Sequence, residues 1–285
     1  MSLKLNYDAE RKVTFEVYEG RNVDRMPDLV KDGRIPMSSR AIMRRRLDVL
    51  NRKAETPQEE KANEKMKDSW LNNYVDTGDA VFYHPDGGVK IVLDAPIMRE
   101  LTSESPLIAG TLKLGEIKDE SVARYEALDV PELQRKDLGT LRKSLTLAQA
   151  KNHPTWKILA DGDQGLLNDY MTAIFNFYNI SEGAAVYFDD ARKVAHGRLW
   201  CLGYNYYDSN AFGNDNLDDG DGRLVGVAPE AHVGNVPRSG AHENSKPVEV
   251  TLEQRVQHAL KAGKSFEYNG TVYVPVADKG VLLGK

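Results

Sequence analysis

From Val194 to Tyr204 the chain alternates without a break: Val194, His196, Arg198, Trp200, Leu202 and Tyr204 fall on one side of an extended backbone, and Ala195, Gly197, Leu199, Cys201 and Gly203 on the other. A period of two held this long predicts a β-strand. The side of small residues lets a second layer approach closely and is expected to be buried, whereas long amphipathic side chains commonly cover the outer face of a sheet. A second periodicity precedes it. Leu167, Tyr170, Met171, Ile174, Phe175 and Tyr178 recur at the three-and-four spacing of a buried helical stripe, with Asn168, Asp169, Thr172 and Asn176 opposite. A chain that carries both periods is expected to pack amphipathic helices on a sheet, which is the α+β class, with hairpins and a mixed or antiparallel sheet.

The remaining elements follow from alternation and capping residues. Leu3, Leu5 and Tyr7, then Val13, Phe15 and Val17, predict an N-terminal hairpin around the turn Asp8-Ala9-Glu10-Arg11. Ser38 or Ser39 caps a helix through Leu50 whose apolar stripe of Ile42, Met43, Leu47, Val49 and Leu50 is imperfect. Residues 52–68 are almost wholly polar and read as a mobile loop running into a solvated helix. Ala80-Val81-Phe82-Tyr83, the turn His84-Pro85-Asp86-Gly87-Gly88 and Val89-Lys90-Ile91-Val92-Leu93 predict a second hairpin over 79–94.

Helical pattern runs from Ser121 to Tyr178, with Thr146-Leu147-Ala148-Gln149 as a capping box and Pro154 opening a further helix. Strand pattern returns at Ala184 to Phe188. Pro229, Pro237 and Pro247 punctuate an irregular segment over 229–247, after which Thr251-Leu252-Glu253-Gln254 opens a helix to Gly263 and Phe266 to Val274 form a hairpin. Two α+β parts, 1–145 and 146–285, are one reading of this order; a single domain spanning both is the other.

Composition narrows the setting. The single cysteine, Cys201, excludes an intrachain disulfide and a thiolate-rich zinc site. No run approaches the ~18 apolar residues of a membrane span, and the first residues lack a basic-then-apolar leader, so a soluble cytoplasmic protein is expected. A net charge of −5 disfavours nonspecific binding of nucleic acid or an anionic membrane by the whole surface.

Three groups of residues carry candidate chemistry. His196 and Arg198, two apart on one strand face, suit a proton-transferring imidazole beside an anion-holding guanidinium, and are the candidate catalytic pair. The plainer reading is an outer sheet face covered by long side chains. The segment Asp208 to Gly222 is rich in hard oxygen donors, and Asp215, Asp218, Asp219 and Asp221 are candidate ligands for Ca²⁺ or Mg²⁺. The spacing misses the EF-hand register, because Leu217 and Gly226 or Ala228 fall at ligand positions, and a solvated turn-rich loop explains the same composition. Arg44, Arg45 and Arg46, with Arg40, Arg52 and Lys53, form a basic cluster for nucleic-acid contact, or a solvated helix face paired with Asp48 and other acids.

Other apparent motifs fail. Gly263-Lys264-Ser265 lacks the upstream glycine of a P-loop and runs from helix to strand, and Gly220-Asp221-Gly222 misses dinucleotide spacing by one. No cofactor-binding motif results. Cys201, on the small face, is most simply a buried apolar residue.

Three stretches resemble uncharacterised archaeal proteins: Tyr18 to Leu29, the hairpin beginning Asp76-Thr77-Gly78-Asp79, and Gly222-Arg223-Leu224-Val225-Gly226-Val227-Ala228-Pro229-Glu230-Ala231. The resemblance implies a prokaryotic cytoplasmic setting and carries no catalytic residues across. The functional expectations are three. The first is a non-enzymatic binding or assembly protein with a protein partner. The second is an enzyme acting on a small anionic or phosphorylated substrate with a divalent cation, and the third is nucleic-acid contact through the Arg44–Arg46 helix.

Overall fold

The computed structural model describes residues 4–6, 14–203, 210–228, 266–268, 271–276 and 281–284. The chain divides into units 1–235 and 236–285. In the first unit β1 (Lys4–Asn6) pairs antiparallel with β2 (Thr14–Glu19), followed by α1 (Asn22–Lys31), β3 (Ile35–Pro36), α2 (Ser39–Leu50) and α3 (Pro57–Leu71). The hairpin β4 (Val75–Tyr83) and β5 (Val89–Val92) comes next, then a short hairpin β6 (Leu107–Ile108) and β7 (Thr111–Lys113), and α4 (Lys118–Glu126). After β8 (Leu145–Thr146) come α5 (Leu147–Asn152), α6 (Pro154–Leu159) and α7 (Gln164–Tyr178). The unit closes with β9 (Glu182–Gly183), β10 (Val186–Phe188), β11 (His196–Leu202), β12 (Ala211–Gly213) and β13 (Arg223–Val227). The architecture is α+β.

Caps set where the helices begin. Ser38 accepts from Ala41 N at 3.2 Å, Thr56 from Glu59 N at 3.2 Å, Thr146 from Gln149 N at 3.4 Å and Asp163 from Leu166 N at 3.0 Å. Each satisfies an N–H that the helix itself leaves open, an effect of about 1 kcal/mol. Pro57 and Pro154 occupy first-turn positions, where the missing N–H costs nothing.

The main sheet has the order β1-β2-β13-β4-β11-β12-β10, with β3 on β13, β5 on β4 and β7 on β11. Most pairs are antiparallel; β13 with β4 and β10 with β12 are parallel. Strands β4 and β11, from either side of residue 145, pair at the centre. The period of two now sorts residues between two cores. Val81, Tyr83, Trp200, Leu202, Val225 and Val227 join the core beneath α2 and α7. Ala80, Phe82, Ala195, Leu199 and Leu224 join the opposite core with Val23, Met26 and Leu29 of α1 and Tyr125 of α4.

All of β11 is therefore buried. The alternation foresees two faces, but the side of His196 and Arg198 is covered as well, by Tyr83, Asp189, the turn at Ala109 and Gly110 and the segment at Asp215 and Asn216. Gly197 makes room for its neighbour across the strand pair: a Cβ there would lie 2.5 Å from the ring of Phe82 on β4.

Strand β4 begins at Val75, earlier than the predicted hairpin, and carries Asp76, Thr77 and Asp79 into the interior. Asp79 is satisfied there by the N–H groups of Ser39 at 2.7 Å and Asp94 at 2.8 Å. The helix α2 is packed against both α3 and α7, so its arginines are largely withdrawn from solvent. In the second unit β14 (Phe266–Tyr268), β15 (Thr271–Val276) and β16 (Val281–Gly284) form an antiparallel sheet, which includes the predicted hairpin. The helix predicted over 251–263 lies outside the described residues.

Candidate functional site: a clamped acidic loop over a buried acid and thiol cluster

Arg198 is 3% exposed and reaches in two directions from β11. Its Nε and Nη2 each lie 2.9 Å from Asp189 Oδ2. Its Nη1 donates to Asp215 O at 2.6 Å and Asn216 Oδ1 at 2.8 Å, and Nη2 donates to Ala109 O at 3.2 Å. One guanidinium thus ties the segment after β12 to the turn between β6 and β7. A fixed planar fork of donors suits this bridging role, which a lysine point charge would not fill.

His196 is fully buried. Its ring stacks on Tyr83 with centroids 4.9 Å apart, Nδ1 lies 3.2 Å from Val194 O and Nε2 3.5 Å from Asp189 Oδ2. Burial alone would raise the Asp189 carboxyl, but His196, Arg198 and the Asp190 N–H hold it well below the ordinary carboxylate range. The candidate catalytic pair therefore meets around one carboxylate. Among the described residues these contacts make it an internal ion cluster.

The loop 214–222 is anchored chiefly through its main chain. Leu217 N donates to Gly110 O at 2.9 Å, Val23 N to Leu217 O at 3.2 Å and Gly20 N to Gly222 O at 2.8 Å, and Tyr74 OH donates to Asp221 O. The Leu217 side chain is 1% exposed and fills the core beneath α1. The side chains of Asn214, Asp218, Asp219 and Asp221 face solvent.

Of the four predicted metal ligands, Asp215 stands apart. It is half-buried and converges with Asp76 and Cys201, the three ligand atoms all lying within 4.8 Å of one another. The register of β4 and β11, which sets Cys201 opposite Asp76, makes this meeting. Asp76 Oδ2 accepts from Arg223 N at 2.7 Å, while Oδ1 has no hydrogen-bond partner.

Burial pushes the Asp76 carboxyl up to about 7, with the Asp215 charge adding to the push. The Arg223 N–H and the neighbouring Asn22 and Cys201 groups pull the other way. Burial likewise raises Asp215, and burial with two adjacent carboxylates raises the Cys201 thiol. A carboxylate, a thiol and a second carboxylate together can hold a proton or a cation.

Asp76 and Cys201 are the site residues that the sequence reading passes over. Two aspartates in Asp76-Thr77-Gly78-Asp79, directly before an apolar strand, are the one local signal for the first. Cys201 is buried as expected, though among acids.

The basic cluster is dispersed. Arg46 is fully buried and donates to Trp70 O at 2.9 Å, Tyr170 OH at 3.0 Å, Asn73 O at 2.9 Å, Leu202 O at 3.2 Å and Gly203 O at 3.4 Å. Arg45 is 4% exposed and lies over the rings of Phe15 and Trp70, about 5.0 and 5.1 Å from their centroids. Arg44 Nη2 lies 2.9 Å from Asp163 Oδ2, at the start of α7. Side chains so placed do not form a shared phosphate-facing surface.

No family model matches the chain, and no curated protein matches it. One similar solved structure is described as "Accommodation of massive sequence variation in Nanoarchaeota by the C-type lectin fold". It is 16% identical with a TM-score of 0.53, and the alignment covers 77% of this chain and 100% of that one. The likeness is one of fold. No helix among the described residues is long and apolar enough to cross a membrane.

Proposed function

We propose that this is a non-enzymatic, cytoplasmic binding protein that meets a protein partner through the exposed side chains of the 214–222 loop. The observation that carries the reading is the manner of anchorage. Arg198, Gly110, Val23 and Gly20 hold the loop mainly by its backbone, so the side chains of Asn214, Asp218, Asp219 and Asp221 are left for a ligand. A loop fixed in this way keeps its shape whatever side chains it presents, and pre-organisation lowers the ordering cost of binding.

The similar structure, described as accommodating massive sequence variation by the C-type lectin fold, supports the same division between fixed backbone and free side chains. Three exposed aspartates favour a partner with a basic surface and oppose a small anionic ligand. Burial of His196 and Arg198 around Asp189 likewise gives less support to an enzyme acting on such an anion.

The test is partner capture followed by quantitative binding to wild type and to a variant carrying Asp218→Lys, Asp219→Lys and Asp221→Lys. The reading expects affinity to fall at least tenfold in the folded variant, and wild-type binding to weaken as salt rises. Unchanged affinity for a partner cross-linked elsewhere on the surface would sink it.

A further inference from the structure

We propose that Asp76, Cys201 and Asp215 form a binding site for a divalent transition-metal ion of the Zn²⁺ type, which fastens the root of the 214–222 loop to the centre of the sheet. The three come from separate elements: β4, β11 and the segment after β12. Their ligand atoms all fall within 4.8 Å of one another. Bonds of about 2.0 Å to oxygen and 2.3 Å to sulfur place the donors of a tetrahedral site roughly 3.3 to 3.8 Å apart, so small side-chain rotations close the geometry.

An independent observation points to a ligand. Asp76 is 1% exposed, and its Oδ1 has no partner at hydrogen-bond geometry. Buried oxygens left open are costly, and a cation satisfies them. Two carboxylates and a thiolate are also like charges at close quarters, which a dication offsets.

The donor set decides the class of ion. Ca²⁺ and Mg²⁺ take oxygen ligands, whereas a thiolate selects softer ions such as Zn²⁺ or Co²⁺. The exposed Asp218, Asp219 and Asp221 lie outside this group. The cation class therefore differs from the Ca²⁺ or Mg²⁺ that the loop composition suggests. Binding at this site does not depend on what the loop recognises.

Because Cys201 is the chain's one cysteine, thiolate-to-cobalt charge-transfer absorption reports on this site alone. The full chain, reduced and stripped with a chelator, is titrated with Co²⁺ at pH 8. The proposal expects one Co²⁺ per chain, a near-ultraviolet charge-transfer band with visible bands of four-coordinate cobalt, and displacement of both by Zn²⁺. The band should be lost in Asp76→Asn and Asp215→Asn and kept in Asp169→Asn on the exposed side of α7, with folding checked by circular dichroism. Zn²⁺ should also raise the thermal midpoint of the wild type more than Ca²⁺ or Mg²⁺ at equal concentration. Absence of the thiolate band in folded wild type would overturn the proposal, as would a band that survives in both aspartate variants, or a midpoint raised equally by Ca²⁺.

Discussion

In metal-free protein, Asp76→Asn should stabilise the fold at alkaline pH and leave it nearly unchanged in acid. The Asp76 carboxyl is buried, titrates near 7 in the folded chain and has an ordinary value of 3.8. Between those values the folded state holds a proton that the unfolded chain releases, so stability falls as pH rises, and the full cost is present above about 7. At about 1.4 kcal/mol for each tenfold change in proton affinity, ionising Asp76 costs the fold about 4 kcal/mol.

Asparagine is neutral throughout and its Oδ1 can still accept the Arg223 N–H that Asp76 accepts at 2.7 Å. Removing the charge also relieves Asp215, which shares the same field. Urea unfolding with chelator and reductant, followed by the fluorescence of the buried Trp70, Trp156 and Trp200, measures the difference directly. The variant should gain on the order of 2 to 4 kcal/mol over wild type at pH 8 and close to nothing at pH 4. A difference that is flat with pH, or a variant less stable than wild type at pH 8, would show that the Asp76 charge does not cost the fold stability.

Arg46→Met should cost about 3 kcal/mol or more in urea unfolding, because it strands the buried acceptors on Trp70, Asn73, Leu202 and Gly203; a loss under 1 kcal/mol would contradict that role. Arg198→Met should cost about 3 kcal/mol near neutral pH, because it removes a charged partner of the half-buried Asp189 and strands the Ala109 and Asp215 carbonyls. The wild type should also lose this advantage as pH falls through and below about 3.8, the ordinary Asp value, because the Asp189 carboxyl is held below it in the fold. Gly197→Ala should destabilise by about 1 to 3 kcal/mol, since its Cβ would meet Phe82 at 2.5 Å, and Phe82→Leu in the same chain should recover part of that loss in a double-mutant cycle.

What was legible in the sequence was local. The alternation of Val194 to Tyr204 reads directly as β11, the stripe from Leu167 to Tyr178 as α7, and Ser38, Thr146 and Pro154 as helix starts, because period and capping depend on near neighbours. How many layers cover a strand is not a local property. Nothing in Val194 to Tyr204 tells that distant loop segments close over His196 and Arg198, so their use around Asp189 is visible only in the fold.

The same reason hides the acid and thiol cluster. Asp76 and Cys201 meet through the pairing of β4 with β11, and register between distant strands is set by the whole sheet. Arg45 and Arg46 mislead in a telling way. They occupy buried positions of α2 and interrupt its apolar stripe, so the imperfection of that stripe, more than the charge, was the informative signal.

On the proposed function, the loop's shape resides in its backbone anchors and its recognition in the exposed side chains. Replacing Asn214, Asp218, Asp219 and Asp221 together by alanine separates the two, with unfolding free energy and partner affinity measured on the same protein. The expected result is stability within about 2 kcal/mol of wild type, as for four exposed substitutions, and affinity reduced at least tenfold. Collapse of the fold, or affinity that survives intact, would contradict it.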